Sequence, residues 1–430
     1  MNRSARTHAC EPILRRALLV LVFGACCALW RSSVFVAPLI RPLNNLLGAS
    51  RARVIRRVND LPVEWRPGPA WLKTDNAKRV MVLLKGDPML LMTDATVKEE
   101  LALLMAEIQR EKKARELRGK WSPPGAIGEA ADMVALSKRI AEVKAINRVR
   151  LAAELMYVMV CSRFKHLDVP LIPPMIQGGL VRFSERNDQL RGLTEIYSFE
   201  ALEIVRDHLY SLMNIDPENP PGKDGQKRPG NMLIALYQVG QVYGMSALFG
   251  YYLRRTDARY QLEKLTGSLG KIHEISEGAS TSLEGRLRSA IVPRWMQPEW
   301  VKGDSRAERS IKDYINDFGP EELSRIRSLA STESQLVMES QLLGLFGNLR
   351  LLKKRLLAVT AGARTKEEAS QKVQQAMEKQ EVQSIDISPS DFRRLVLEAV
   401  FFGSALYDAE LEASKVYDMT PASEPFVPYH

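Results

Sequence analysis

The chain has 430 residues, 45% of them hydrophobic and 26% charged, ordinary globular values that allow a sizeable core. Its net charge of +10 is uneven: residues 1–60 hold ten Arg, no Lys and only Glu11 and Asp60, so +8 lies there and +2 is left for residues 61–430. A body so close to neutral excludes a general nucleic-acid footprint. Cys161 is the one cysteine beyond Cys10, Cys26 and Cys27, which excludes an intrachain disulfide or a Cys-rich zinc site in the body.

Near the N-terminus, Arg15 and Arg16 precede the uncharged apolar run Ala17–Trp30. A basic region before an apolar run of about 7–15 residues is the signal-peptide pattern. At about 1.5 Å per residue the run falls short of a ~30 Å hydrocarbon core, although an uncleaved anchor is the alternative. Ser32 to Pro38 then leads into an Arg-rich, acid-free stretch of transit-peptide composition. This arrangement resembles the bipartite presequences of algae with complex plastids, and Phe35-Val36-Ala37-Pro38 looks like the Phe-led junction of peridinin-type plastids. The expectation is a signal peptide over 1–34, a transit peptide and linker over 35–92, and a destination in the plastid stroma. Residues 1–60 are expected to contribute nothing to the fold.

Pro62, Pro67 and Pro69 make residues 61–92 read as linker with one short strand. A helix is expected after Thr93 or Asp94, either a good N-cap, running to about Arg118. Trp121-Ser122-Pro123-Pro124-Gly125 breaks it. A long helix follows over about 132–164, with Leu136, Ile140, Val143 and then Leu151, Leu155 and Val158 at steps of three or four apart from one interruption. Arg139, Glu142 and Lys144 read as its solvated face.

Two later stretches look alike. The first has a helix near Glu200–Met213, a polar loop over 215–230, and an apolar helix Met232–Leu253 continuing to Lys264. The second has a helix near Glu333–Phe346, a charged connection, and an apolar helix from Asp391 to about Val416. Phe249-Gly250-x-x-Leu253 matches Phe402-Gly403-x-x-Leu406. The fold class expected is therefore all-α, a multi-helix bundle with a duplicated helical-hairpin unit. The boundaries expected are a first unit within 93–277, a linker over 278–309 anchored by Trp295 and Trp300, a second unit within 310–418, and a tail over 419–430. Asp317 to Glu322 reads as a turn into a helix. Gly250 and Gly403 are expected where helices approach closely, because Gly within a helix costs about 1 kcal/mol relative to Ala. Met232–Leu253 has no charged residue and contains Gly240-x-x-x-Gly244, but Arg393, Arg394 and Glu398 in its repeat partner make both read as central helices of a soluble bundle.

The chain lacks the common catalytic motifs. No Glu-x-x-His or His-Glu-x-x-His occurs at His166, His208, His273 or His430. Phosphate-binding glycine motifs and a Gly-x-Ser-x-Gly elbow are missing too. His273 and Glu277 read as a surface pair, and Cys161 as an inert core thiol. No cofactor or metal is expected. Two features are candidates for a ligand site or a structural polar cluster. Glu398 sits in the apolar run Leu395–Val400, where a bare carboxylate is costly, and reads either as paired with Arg394 or an Arg on a neighbouring helix, or as a ligand-site acid. Arg254, Arg255, Asp257, Arg259 and Glu263 form either a helix-surface ion network or an anion site.

Arg139-Ile140-Ala141-Glu142-Val143-Lys144-Ala145 is similar to a segment of the UV-B-induced chloroplast proteins of plants, which carry the domain of unknown function numbered 760. So are Val239–Tyr243, the stretch from Gly250 to Lys264 and Arg394–Ser404. The resemblance runs from about residue 94 to 418 and implies a nucleus-encoded plastid protein. It brings no reaction and no catalytic residues. The presequence type, the 215–230 loop and the basic helix Leu349–Leu357 depart from the family.

Two functional classes stay open. One is a non-enzymatic plastid protein, an adaptor or stress-responsive factor that meets a protein partner through helical surfaces. The other is a ligand-binding or enzymatic helical domain using Glu398 and the Arg254–Arg259 cluster. Membrane contact is expected only peripherally, through the basic amphipathic stretch Leu349–Leu357.

Overall fold

The computed structural model describes residues 68–119, 129–213, 230–266, 310–319 and 329–422, apart from 69, 71, 88, 89, 182 and 184–187. The signal and transit peptides, the linker 278–309, the 215–229 loop and residues 273 and 277 lie outside the described residues. Eleven helices and three strands are seen among the described ones. They run α1 (Asp75–Gly86), α2 (Leu91–Gly119), α3 (Glu129–His166), β1 (Gly179–Val181), α4 (Asp188–Ile196) and α5 (Phe199–Met213). After these come β2 (Met232–Ala235), α6 (Leu236–Thr266), α7 (Ile311–Asn316), α8 (Thr332–Phe346) and α9 (Leu349–Thr360). The series ends with α10 (Lys366–Glu378), β3 (Ser384–Ile387) and α11 (Pro389–Ala413). The fold is a multi-helix bundle. Among the described residues, no helix is long and apolar enough to cross a membrane.

Several elements correct the sequence reading. The supposed linker holds α1, whose Ala77, Val80, Met81 and Leu84 are buried at helical spacing. Both its ends are tied to α3. Glu154 accepts from the Lys73 and Thr74 amides (3.0 and 2.8 Å), and Lys165 Nζ donates to the Leu84 and Asp87 carbonyls (2.6 and 2.7 Å). An acid at the start and a base at the end also suit the helix dipole. α2 begins at Leu91 rather than after Thr93, because Asp87 accepts the Leu90 and Thr93 amides first (both 2.9 Å). The charged connection of the second unit contains α9, α10 and β3.

The first four residues of the expected apolar helix are instead β2. A short apolar run is ambiguous between strand and helix, and pairing decides it here. β3 lies at the centre of a three-stranded sheet, parallel to β1 and antiparallel to β2. It turns Ile385 and Ile387 into the core.

Each of the two central helices follows closely on a strand, and α6 and α11 share the most extensive packing among the described elements. Ser388 starts α11: its hydroxyl accepts from the Asp391 amide (3.1 Å), with Pro389 as the first helical residue. A Cβ added at Gly250 would collide with the Val400 backbone, and one at Gly403 with the backbone of Ala247 and Tyr251. Gly250 and Gly403 are 153 positions apart, and so are Ala247 and Val400. The strand register has the same offset: Leu233 pairs with Asp386, 153 positions on, flanked by Met232 with Ile387 and Ile234 with Ile385. One twofold-like exchange therefore relates β2–α6 to β3–α11. The duplicated element at the centre of the bundle is a strand followed by a helix. The surroundings are apolar: Phe164 meets Phe401 edge-on at 4.5 Å, and Tyr243 lies against Phe346 at 5.5 Å.

α2 and α3 run on beyond this core. Outward of Leu104 on α2 and Leu151 on α3, no residue with a described side chain is buried. Leu136, Ile140 and Val143, which recur at helical spacing, are 59%, 49% and 50% exposed. The two helices are joined there by Lys144 to Glu111 (2.9 Å) and by Arg148 to Glu111 and Glu107 (2.5 and 3.3 Å). These cations hold the Glu111 carboxyl well down, at about 2. The result is a two-helix arm attached to the bundle.

Candidate functional site

The polar residues of α6 divide into separate structural tasks. Arg254 binds Asp408 of α11 through Nε (2.9 Å) and the Ile196 carbonyl at the end of α4 (2.5 Å). A guanidinium on the last carbonyl of a helix satisfies a group the helix leaves open. Asp257 is buried and accepts from the Ser198 amide and hydroxyl (3.1 and 2.7 Å), while the Ser198 hydroxyl accepts from the Ala201 amide. It therefore holds the residue that starts α5. Arg255 is partly buried; burial raises the Tyr251 and Tyr407 hydroxyls above the usual range, and the Arg255 charge opposes this at both, on its own helix and on α11.

One turn further on, Arg259 pairs with Glu263 (2.9 Å) and lies over the Phe318 ring at 5.5 Å. Glu263 also accepts from the Tyr314 hydroxyl of α7 (2.7 Å). These residues are thus an ion and hydrogen-bond network that fastens α4, α5 and α7 to α6. Arg394 is not part of it: it lies on α11, over the Phe183 ring at 5.6 Å.

Glu398 is placed differently. It is fully buried, and among the described residues neither carboxylate oxygen has a hydrogen-bond partner. The expected pair with Arg394 does not form; Arg394 acts on it only through space. The Tyr243 hydroxyl and the Ile172 amide favour its charged form from nearby, short of hydrogen-bond geometry. Burial outweighs all three and raises its pKa from 4.5 to about 8, so the carboxyl is mostly protonated at neutral pH.

Around it converge residues that the sequence reading did not connect. Gln341 of α8 donates to the Tyr243 hydroxyl (3.0 Å) and accepts from the Tyr157 hydroxyl of α3 (3.2 Å). Tyr157 in turn accepts from the Ala70 amide (3.3 Å). Cys161 lies beside Tyr157, and burial pushes its thiol up to about 12, so it offers neither a nucleophile nor a thiolate ligand near neutral pH. All five side chains are buried, and they come from α3, α6, α8 and α11. The only signals in the sequence are single polar letters inside apolar helices.

Several other buried polar side chains are matched. Tyr197 meets Ser404 and donates to the Gly250 carbonyl (2.8 Å). Tyr251 bonds Glu410. His208 meets Ser246 (3.1 Å) and stacks on Phe249 at 4.2 Å; burial lowers its pKa to about 3, so it is neutral. Among the described residues, no three His, Cys, Asp or Glu side chains are grouped to hold a metal.

Residues 135–266, from the arm half of α3 to the end of α6, match the family model described as "Protein of unknown function (DUF760)". A UV-B-induced, chloroplastic protein of Arabidopsis thaliana is 26% identical over 299 residues, covering 66% of this chain and 64% of that protein. No solved structure matches. Over these residues the chain is thus similar to the DUF760 family, and over a longer stretch to the UV-B-induced chloroplastic protein.

Proposed function

We propose that this is a plastid protein that acts by contact, as an adaptor or stress-responsive factor, through its helical surfaces. Its relative carries "chloroplastic" and "UV-B-induced" in its name, which supports the compartment and the physiological setting. Entry through a signal-plus-transit presequence and residence in the stroma are part of this reading. The observation that carries it is the contrast between α6 and the arm. The charged groups of α6 are occupied in holding neighbouring helices, whereas the arm presents apolar and basic side chains outward. Exposed apolar residues grouped with charges mark interaction surfaces.

Purification of the tagged full chain from plastids tests the reading. A macromolecular or membrane fraction recovered with the wild type, and lost when the exposed arm residues are replaced, supports it. A second reading, a ligand-binding domain, is favoured by Glu398 alone, since a buried carboxyl without a partner calls for explanation. A small molecule that co-purifies, and is lost in Glu398→Gln, would establish that reading instead.

A further inference from the structure

The arm bears charge as well as exposure. Residues 105–150 hold eleven basic and six acidic residues, a net +5, while the rest of 61–430 is at −3. Lys144 and Arg148 turn toward α2, where they meet Glu111. A different face of α3 carries Leu136, Arg139, Val143, Ile146 and Arg150 at steps of three and four, with Ile140 beside them. The four apolar side chains are 59%, 50%, 58% and 49% exposed, in the order Leu136, Val143, Ile146, Ile140. Arg110, Lys112 and Lys113 lie on the exposed part of α2.

We propose that this face of the arm seats on an anionic lipid surface, an inference that rests on the contact reading above. Four half-exposed side chains are far less than the ~800 Å² per partner of a standard protein interface. They suffice for shallow insertion at a headgroup boundary, where apolar contact and electrostatic attraction add. Arginines within the stripe suit that setting, because their stems lie along apolar surface while the guanidinium stays with the phosphates. A nucleic-acid groove would leave the apolar stripe without a counterpart. The membrane contact expected at Leu349–Leu357 has a narrower apolar face: Leu349, Leu352 and Leu356 of α9 are buried, and the exposed Leu351 and Leu357 lie six positions apart rather than in one stripe.

Hydrogen exchange on the full chain, read segment by segment, separates the arm from the basic presequence. Vesicles of phosphatidylglycerol and phosphatidylcholine in equal parts should slow exchange over 105–119 and 136–150. Phosphatidylcholine alone should not, and added salt should reverse the effect. Ile140→Ser with Val143→Ser should weaken the arm's protection by about tenfold or more, with helical content unchanged. Protection confined to residues 1–60 would overturn the proposal, and so would equal protection by neutral vesicles. If the arm ignores vesicles but still recovers a protein partner from plastids, the lipid inference fails while the contact reading stands.

Discussion

The α6–α11 crossing and the α2–α3 arm are both pairs of packed helices, yet they are held by different forces. At the crossing, backbone lies against backbone: Gly250 faces Val400 and Gly403 faces Ala247, leaving no room for one methyl group. In the arm the joining residues are Lys144, Arg148, Glu107 and Glu111, none of them buried. The first pair is dictated by shape and is intolerant of change. The second is held by screened charge and leaves most of its side chains to be chosen for another purpose. Hydrophobic periodicity on its own does not distinguish the two, since Leu136, Ile140 and Val143 recur as a core stripe would.

The contrast is sharpest at Gly403. Gly403→Ala forces the two central helices apart and should destabilise by at least about 3 kcal/mol, or prevent folding, in denaturant titration. A loss under about 1 kcal/mol would mean that the crossing yields like an ordinary surface contact.

Glu398 comes next, through pH. Its folded pKa of about 8 lies above the ordinary 4.5, so the folded state holds a proton that the unfolded chain has lost. Stability from this group is full below 4.5 and falls as pH rises toward 8, by on the order of a few kcal/mol. His208 works in the opposite direction. Burial lowers it from 6.5 to about 3, so its contribution is full above 6.5 and is lost as pH falls toward 3. Melting temperature should therefore drop on both sides of a window near pH 4.5–6.5. Glu398→Met should remove the alkaline fall and keep the acid one. An unchanged alkaline limb in that variant would place the titrating group elsewhere.

A smaller effect is expected at Asp257. Asp257→Ala strips the Ser198 amide and hydroxyl of their acceptor and loosens the start of α5, at a cost of about 1–3 kcal/mol. The smallest belongs to the arm: Ile140→Ser or Val143→Ser should change stability by no more than about 0.5 kcal/mol. A loss of 2 kcal/mol or more would show that the arm face is packed, which would erase the contrast between the two regions.

The helical class, the long helices α3, α5, α6, α8 and α11, and the paired glycines were legible because each rests on local spacing. α1 was hidden behind three prolines, and both its ends are fastened by Glu154 and Lys165, far along the chain. β2 reads as the first turn of an apolar helix until β3 pairs with it. The candidate site was half legible. Glu398 stood out as a charge in an apolar run, and Arg259–Glu263 as a helical pair. Tyr157, Tyr243 and Gln341 look like ordinary members of their own helices, and only the bundle brings them together.

The offset of 153 positions also sets a timetable. β2 and α6 leave the ribosome, or an import pore, well before β3 and α11 arrive to cover them. At about 5–20 residues per second the interval is roughly 8–30 s, long compared with helix formation or local collapse. During that time the faces of Ala247 and Gly250 that α11 will cover have no partner. Folding of the centre must wait for nearly the whole chain, the kinetic counterpart of the symmetry in the finished molecule.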